Sequence, residues 1–153
     1  MNSNTLSVAD AEAILSKHQV RPTANRIAVC RTLAVAKAPL SLAELETLLE
    51  TIDRSVIFRT LGVFREHRLV HVIEDGSVSV KYELCHGHAS TATDDDTHAH
   101  FYCVKCGRTT CLDYLAVPPV LLPNGYKALS ANFLIKGLCP GCSFKAFDTA
   151  DRK

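Results

Sequence analysis

Residues 53–67 read DRSVIFRTLGVFREH, and this segment predicts a helix from Arg54 to His67 with Asp53 as its N-cap. Apolar side chains recur along the segment at three- and four-residue spacing, which places them in one stripe of a helix. The stripe consists of Ile57, Leu61 and Phe64. A helix of this pattern packs its stripe against a core and leaves the opposite side exposed.

The exposed side of this helix carries side chains that could contact DNA. Ser55, Arg59 and Gly62 point away from the stripe, and Phe58 lies at its flank. An outward arginine can pair with guanine or with a phosphate, and a glycine lets another backbone approach closely. In an isolated helix, Arg59 would be a solvated charge and Phe58 a core residue, so the neighbouring elements decide between the two interpretations.

Two further helices are predicted before this segment. Thr23 and Ser41 are suitable N-caps, and Glu44 forms a capping box with Ser41. The apolar positions of these helices are Ile27, Cys30, Leu33 and Ala34 in one, and Leu42, Leu45, Leu48 and Leu49 in the other. Both helices are amphipathic, as in a small helical core.

A β-hairpin is predicted directly after the segment, with strands over 69–74 and 78–84 joined at the turn pair Asp75-Gly76. Three helices followed by a hairpin is the element order of a winged helix, whose third helix enters the major groove. We therefore predict an α+β fold that begins with a winged-helix DNA-binding domain.

The distribution of basic residues along the chain supports a nucleic-acid partner more strongly than the net charge does. The chain has 153 residues, 47% of them hydrophobic, and a formal net charge of +1. Basic residues nevertheless cluster in the first half, at Lys17, Arg21, Arg26 and Arg31 and again at Arg54, Arg59, Arg65 and Arg68. No apolar run reaches the roughly 20 residues of a membrane span, and no signal-peptide pattern is present. We expect a soluble cytoplasmic protein that contacts no membrane.

The cysteines divide the chain into two parts. Residues 1–84 contain one cysteine, Cys30, and residues 85–153 contain the other six. A polar segment of low complexity, residues 89–97, follows the division. We predict a DNA-binding domain over residues 1–84 and a small α/β metal-binding domain over residues 85–153.

Two CxxC pairs predict a structural zinc site. Cys103-Val-Lys-Cys106 and Cys139-Pro-Gly-Cys142 each turn two thiolates toward one point, and four thiolates satisfy tetrahedral zinc. A secreted disulfide framework would need an export signal and an even cysteine count, whereas the chain has seven. A thioredoxin-type pair would follow a strand and open a helix, and we expect neither context here.

A second group of potential ligands lies around the division between the two parts, at His71, Cys85, His86, His88, His98 and His100. His98 and His100 alternate on a predicted strand, so both imidazoles would share one face. His71 and Cys85 lie on opposite arms of the predicted hairpin, so a metal held by these two and the histidine pair would connect the two parts. Three nitrogens and one thiolate favour zinc, whereas iron(II) and manganese favour more oxygen and nitrogen ligands.

Each of these residues also has a structural interpretation. His71 could be an ordinary edge-strand residue, Cys85 a small buried residue, and His86 and His88 solvated loop residues. Cys111 could supplement a ligand or fill the core, and Cys30 and His18 are interpreted as structural. The predicted regulatory ligands are His71, Cys85, His98 and His100, with His86, His88 and Cys111 as alternates.

These residues together resemble the ferric uptake regulator (Fur) superfamily from about Arg21 to Cys142. RPTANR at 21–26 is similar to the family's first-helix entry, and SVIFRTL at 55–61 resembles its recognition helix, with Phe58 where a tyrosine is usual. HAHFYCVKCG at 98–107 and GLCPGC at 137–142 are similar to its histidine-rich strand and zinc knuckles. The resemblance implies a metal-dependent repressor that binds double-stranded operator DNA as a homodimer, with residues 85–153 as the dimerisation domain.

The resemblance also implies roles for single residues. The family's base and phosphate contacts map to Arg21, Phe58 and Arg59, beside which Arg54 and Ser55 are further candidates for DNA contact. The zinc uptake regulators are the most similar branch, because they place a histidine or aspartate in the first wing strand and a cysteine after the second. His71 and Cys85 match those places. Iron-sensing members tend to carry a glutamate in the second strand, which Glu83 matches, so iron(II) is the alternative metal and Glu83 an alternate ligand.

The chain departs from the family in two places. Ala99 stands where a further family metal site has an acid, and Pro118, Pro119 and Pro123 break or shorten the helix expected between the dimerisation strands. A zinc hydrolase or deaminase would need an open metal position and an HxE signature with a paired PCxxC, and that signature is not formed. A zinc-ribbon module without DNA binding disagrees with the arginine-bearing third helix. We expect no enzyme and no small-molecule substrate beyond metal ions.

Overall fold

The computed structural model describes residues 5–85, 98–128 and 131–147, and the chain divides into two compact units, Met1–Thr93 and Asp94–Lys153. The predicted domain boundary after residue 84 stays a prediction, because residues 86–97 lie outside the described ranges. Within those ranges, no helix combines the length and the apolar character that crossing a bilayer requires.

The first unit begins with four helices and a short strand: α1 (Val8–Lys17), α2 (Ala24–Val35), β1 (Leu40–Ser41), α3 (Leu42–Leu48) and α4 (Arg54–Glu66). Helices α2, α3 and α4 agree with the sequence-based prediction, whereas α1 was not predicted. The Ser7 hydroxyl caps α1 by accepting the backbone N–H of Asp10 at 3.0 Å. Ala11 and Leu15, four residues apart, are fully buried, so α1 belongs to the core of the unit.

All three predicted N-cap residues begin their helices, and side-chain capping bonds form at α2 and α3. The Thr23 hydroxyl accepts the Arg26 N–H at 3.4 Å. Ser41 and Glu44 form the capping box, since the Ser41 N–H donates to Glu44 Oε2 at 2.7 Å and the Glu44 N–H donates to Ser41 Oγ at 3.3 Å. Asp53 is the N-cap residue of α4, as predicted, but its side chain makes no capping hydrogen bond.

Helix α4 buries the predicted apolar stripe. Ile57, Leu61 and Phe64 are at most 1% exposed and lie in the core of the first unit. Burying one such side chain stabilises a fold by about 1.5–3 kcal/mol. One predicted core position was wrong: Leu48, at the end of α3, is 59% exposed.

A hairpin completes the first unit, with β2 (Val70–Ile73) and β3 (Lys81–Leu84) antiparallel and β1 added to the other edge of β3. Both strands are shorter than predicted, because the loop between them is organised around a buried carboxylate. Asp75 accepts the Ser77 N–H at 2.9 Å and forms an ion pair of 2.7 Å with the Lys81 ammonium. Gly76 follows with φ 84°, a conformation that favours glycine.

Two backbone hydrogen bonds connect α4 to the hairpin. The Leu69 N–H donates to the Phe64 carbonyl at 2.8 Å, and the Cys85 N–H donates to the Leu69 carbonyl at 2.9 Å. Leu69 therefore links the end of α4 to Cys85, because its N–H bonds to the helix and its carbonyl bonds to the cysteine.

The second unit is a three-stranded sheet with a short helix. Its strands are β4 (His98–Cys103), β5 (Thr109–Ala116) and β6 (Phe133–Gly137), in the order β5-β4-β6, and α5 (Pro140–Phe147) follows β6. Strand β4 pairs antiparallel with β5 and parallel with β6. Residues 117–128 contain no helix, in agreement with the interruption predicted from the three prolines. Helices and hairpin in one unit and a mixed sheet in the other confirm the α+β winged-helix class.

Candidate metal centres and nucleic-acid interface

Four thiols of the second unit, the thiol cluster, form the first candidate centre: Cys103, Cys106, Cys139 and Cys142. Their sulfur atoms all lie within 4.8 Å of one another, and Cys106 Sγ is 3.8 Å from Cys139 Sγ. Zinc–sulfur bonds of about 2.3 Å in a tetrahedron give sulfur–sulfur distances of about 3.8 Å. The four cysteines therefore fit a tetrahedral zinc ion.

Backbone turns aim the two halves of the thiol cluster at each other. Gly107, with φ 71°, donates its N–H to the Cys103 carbonyl at 2.8 Å after β4 ends. After β6, the N–H groups of Cys142 and Ser143 donate to the Cys139 carbonyl at 2.9 and 2.8 Å. The Cys139 N–H donates to Cys103 Sγ at 3.4 Å, which joins the two CxxC turns directly.

Hydrogen bonding separates the thiols of the cluster by acidity. The backbone N–H of Cys139 lowers the pKa of Cys103 to about 6. Hydrogen bonding with the Cys139 side chain raises the pKa of Cys142 to about 12. Without a cation, one thiolate forms readily while its neighbour keeps a proton; a divalent cation would favour the thiolate at all four positions and release protons.

The local context of the second CxxC differs from the prediction. Cys139–Cys142 follows strand β6 and opens helix α5, a strand-to-helix placement that was not predicted from the sequence. The arrangement still differs from an isolated redox pair, because Cys103 and Cys106 lie against the same two sulfurs. Four converging thiols fit metal ligation better than two-thiol exchange.

The first unit carries the second candidate centre, the wing site, formed by His71, Glu83 and Cys85. His71 Nδ1 lies 3.3 Å from Cys85 Sγ, and His71 Nε2 lies 2.9 Å from Glu83 Oε2. The hairpin register places His71 on β2 directly opposite Glu83 on β3. Their side chains are only 21% and 11% exposed. The structure thus brings His71 and Cys85 together and adds Glu83 as a close contact.

The two ring nitrogens of His71 face different partners. An imidazole binds a metal through one nitrogen, while the other nitrogen commonly donates a hydrogen bond to a carboxylate that fixes the tautomer. A metal beside Cys85 would use Nδ1 and leave Nε2–H to donate to Glu83. A metal beside Glu83 would use Nε2 and leave Nδ1 to Cys85. The wing site therefore offers a nitrogen–sulfur pair or a nitrogen–oxygen pair.

The other predicted ligands fall in the second unit or outside the described residues. His100 on β4 is buried, at 3% exposed, and its register partner on β5 is Cys111, so these two residues share one face of the sheet. His98 also lies on β4, but the register shifts between His98 and Ala99, so the shared face predicted for both histidines stays a prediction. His86 and His88 lie outside the described residues.

The predicted DNA-contacting residues are all exposed: Arg21, Arg54, Ser55, Phe58 and Arg59. Phe58 is 59% exposed, unusually high for an aromatic side chain on a helix whose other phenylalanine is fully buried. Arg54 donates to Glu46 Oε2 at 2.6 Å in an exposed ion pair that was not predicted from the sequence. The outer side of α4 thus presents an aromatic ring beside Arg59.

Two residues interpreted as structural have structural surroundings. Cys30 is fully buried on α2, and burial raises the pKa of its thiol to about 11. His18 and His67 form a reciprocal pair, with His18 Nδ1 3.2 Å from the His67 carbonyl and His67 Nδ1 3.0 Å from the His18 carbonyl. This pair joins the ends of α1 and α4.

The first unit is a winged helix, and the second unit carries a four-thiol cluster. The chain is therefore a winged-helix protein that carries a set of potential metal ligands. The model of the ferric uptake regulator family matches residues 17–117, which is about two thirds of the chain. The chain belongs to the ferric uptake regulator family.

Curated relatives and solved structures agree with this assignment. The zinc uptake regulation protein of Escherichia coli (strain K12) is 30% identical over 106 residues, which are 65% of this chain and 57% of that protein. The match therefore spans less than two thirds of the relative's length. The same figures hold for the zinc uptake regulation protein of Shigella flexneri.

The fold is similar to that of solved family structures. A zinc uptake regulator complexed with zinc and DNA has a TM-score of 0.68 and 24% identity, covering 92% of this chain and 95% of that one. The ferric uptake regulator of Francisella tularensis with iron has a TM-score of 0.56 and 18% identity, covering 80% and 94%. At these sequence identities the similarity shows a shared fold and nothing further.

Proposed function

We propose that the protein is a zinc-responsive transcriptional repressor that binds operator DNA as a homodimer and controls metal uptake genes. The wing site carries the proposal, because His71, Glu83 and Cys85 place soft and nitrogen ligands on the hairpin that follows the exposed side of α4. The relatives named as zinc uptake regulators, one of them solved with zinc and DNA, support the same assignment. The role is regulatory rather than enzymatic.

The thiol cluster would hold a structural zinc ion. Its four sulfurs leave no open coordination position for substrate or water, which distinguishes a closed structural site from a catalytic one. The zinc would supply folding free energy to a unit whose described core is small. Cys103 joins β4 to the site, and Cys139 joins β6, so the ligands would hold the ends of the two parallel strands together.

A regulatory zinc ion would be bound by His71 and Cys85 of the first unit with His98 and His100 of the second. Cys111, the register partner of His100, is an alternate thiolate. Ligands drawn from both units would restrict the motion of one unit relative to the other. Two recognition helices of a homodimer could then match successive half-sites on DNA.

Glu83 orients His71 in this arrangement. With Nδ1 of His71 directed at Cys85 and the metal, Nε2–H donates to the Glu83 carboxylate and holds the ring in the tautomer that leaves Nδ1 free to bind. The thiolate then favours zinc over harder cations.

Iron(II) is the second candidate metal, and a specific contact favours it. The 2.9 Å approach of Glu83 Oε2 to His71 Nε2 offers a nitrogen–oxygen pair that suits a harder ion. In that arrangement Glu83 would be a ligand and Cys85 a hydrogen-bonding neighbour.

Metal content and DNA binding test the proposal together. We expect two zinc ions per chain by elemental analysis, one of which resists a chelator. Zinc or iron(II) is titrated into chelator-treated protein in the presence of a DNA fragment that contains the promoter of its own gene. DNA binding should saturate at a lower free concentration of zinc than of iron(II). DNA affinity that does not change across either titration would refute metal-dependent repression.

A further inference from the structure

Helices α1 and α4 of the first unit end in the same backbone conformation. Their C-cap residues are His18, with φ −92° and ψ 12°, and His67, with φ −91° and ψ 10°. The residues that follow, Gln19 and Arg68, have φ 58° and 55°. Glycine is the usual residue at this position of a helix end, because a Cβ crowds the backbone of the left-handed conformation. The chain therefore keeps two strained turns at matching places.

Hydrogen bonds and burial hold each of these turns. After α1, the Val20 N–H donates to the Leu15 carbonyl at 2.9 Å, and after α4 the Leu69 N–H donates to the Phe64 carbonyl at 2.8 Å. This is the bond pattern of the Schellman motif, in which the residue after the left-handed position packs into the core. Val20 and Leu69 are both buried. Each helix end is thus a fixed turn that presents its C-cap residue.

The two C-cap histidines bond to each other's backbone. His18 Nδ1 lies 3.2 Å from the His67 carbonyl oxygen, and His67 Nδ1 lies 3.0 Å from the His18 carbonyl oxygen. Because a carbonyl oxygen only accepts, both Nδ1 atoms must donate. The last carbonyls of a helix have no partner within it, so each histidine caps the other helix. The pair is named here the histidine clasp.

The clasp connects two helices whose apolar packing lies elsewhere. Helix α1 packs mainly against α2, whereas α4 packs against α2, α3 and β2. His67 is exposed and His18 is half-buried, so the clasp adds little to the apolar core. Apolar contacts have no preferred direction, whereas hydrogen bonds require a narrow range of distance and angle. The clasp therefore restricts the tilt of α4 more than core packing alone would.

We infer that His18 and His67 are positioning residues that set the tilt of α4 by holding its C-terminal end to α1. The consequence for DNA rests on the proposed function. Helix α4 has 13 residues and is therefore about 20 Å long, so a shift of about 2 Å at its end would tilt it by roughly 6°. Contacts with base edges depend on such alignment, whereas attraction to phosphates depends on it much less. The clasp would thus contribute to DNA specificity rather than to general affinity.

Alanine and asparagine variants separate the hydrogen bond from the rest of the side chain. His67→Ala removes the donor, and His67→Asn replaces it, because the amide nitrogen of asparagine can occupy the place of Nδ1. His18→Ala and His18→Asn repeat the comparison for the other bond. Ser16→Ala changes an exposed residue near the end of α1 and is the matched control.

The first measurement is the ratio of affinities of the zinc-loaded full chain for the promoter fragment and for mixed-sequence duplex DNA. His67→Ala should lower this ratio about tenfold, the size of one misaligned base contact. Affinity for the mixed sequence should change by less than about twofold, because phosphate attraction supplies it. His67→Asn should recover most of the ratio, and Ser16→Ala should not change it.

A purely structural role predicts a different result. Partial unfolding lowers the fraction of active chain, so both affinities would fall by the same factor and the ratio would stay constant. An unchanged ratio in His67→Ala and His18→Ala would overturn the positioning role while the repressor function stands. Equal losses for the alanine and asparagine variants would overturn it as well.

The second measurement needs no DNA. In nitrogen-15 spectra of the imidazole rings, His18 and His67 should both carry the proton on Nδ1. Residual dipolar couplings should show that α4 changes its angle to α2 in His67→Ala and regains it in His67→Asn. If the wild-type chain binds no DNA, these changes would retain the clasp and refute the repressor function. Couplings that do not change in either alanine variant would overturn the clasp whatever the DNA result.

Discussion

Replacing Cys85 by serine removes the sulfur that lies 3.3 Å from His71 Nδ1 and should weaken regulatory zinc binding about a hundredfold. Zinc bound by four protein ligands is held with about 10–16 kcal/mol at neutral pH, so one ligand accounts for about 3 kcal/mol. Each 1.4 kcal/mol is a factor of ten in affinity, and 3 kcal/mol is therefore about two orders of magnitude. Serine keeps the size of the side chain, so the hairpin should fold as before.

Glu83→Gln is the companion variant, because it distinguishes the two nitrogens of His71. If Nδ1 binds the metal, Glu83 only orients the ring, and losing its charge should cost about tenfold in zinc affinity. If Nε2 binds the metal, Glu83 is itself a ligand and the order of the two effects reverses. Glu74→Gln, an exposed carboxylate on the same hairpin, is the matched control and should have no effect.

The assay is competition with a chelator of known zinc affinity, carried out after the thiol cluster has been loaded. A larger loss for Cys85→Ser than for Glu83→Gln supports zinc held by nitrogen and sulfur. The reverse order, accompanied by tighter iron(II) binding in the wild type, supports the iron alternative. If neither variant differs from Glu74→Gln, the wing site is not a metal site and the reasoning from His71 fails.

Four further outcomes are expected. Phe64→Ala should lower the free energy of unfolding in urea by about 3–5 kcal/mol, whereas Phe58→Ala should change it by less than about 0.5 kcal/mol and weaken DNA binding; equal stability losses would contradict the burial of one ring and exposure of the other. Cys103→Ser should remove one zinc per chain and unfold or monomerise the second unit, and a stable dimer that keeps both zinc ions would count against a structural site. Iodoacetamide at about pH 8 should leave Cys30 unlabelled in the native protein, because its thiol is buried and has a raised pKa, and labelling as fast as in urea would contradict this. Zinc should slow hydrogen exchange at the Leu69 amide, which bonds to the end of α4, and an unchanged rate would argue against coupling through the hairpin.

The sequence was informative where spacing alone determines proximity. The stripe of Ile57, Leu61 and Phe64 follows from helical periodicity, and each residue is buried. The thiol cluster follows from two short turns, because a CxxC spacing brings its own sulfurs together and two such turns leave few other arrangements. Neither inference depends on the path of the intervening chain.

Long-range details were harder to predict for identifiable reasons. Helix α1 was missed because its buried side is narrow, with Ala11 and Leu15 as its fully buried residues. Asp75 was treated as a turn residue, and nothing in its neighbours indicates that Lys81 would form an ion pair with its buried carboxylate. The contact of Glu83 with His71 depends on strand register, which a turn one residue longer or shorter would change.

Coupling between metal and DNA binding has an upper limit that the wing site helps to define. A metal shifts DNA affinity only by the difference between its affinities for the DNA-competent and the other arrangements. Cys85 and Leu69 lie on the hydrogen-bonded backbone that continues from the end of α4, so Cys85 is the proposed ligand whose bond would most directly depend on the position of that helix. If Cys85 supplies about 3 kcal/mol of zinc binding, its bond can contribute at most about a hundredfold to the change in DNA affinity. A larger zinc effect on DNA binding would therefore require that His71 or the ligands of the second unit also distinguish the two arrangements.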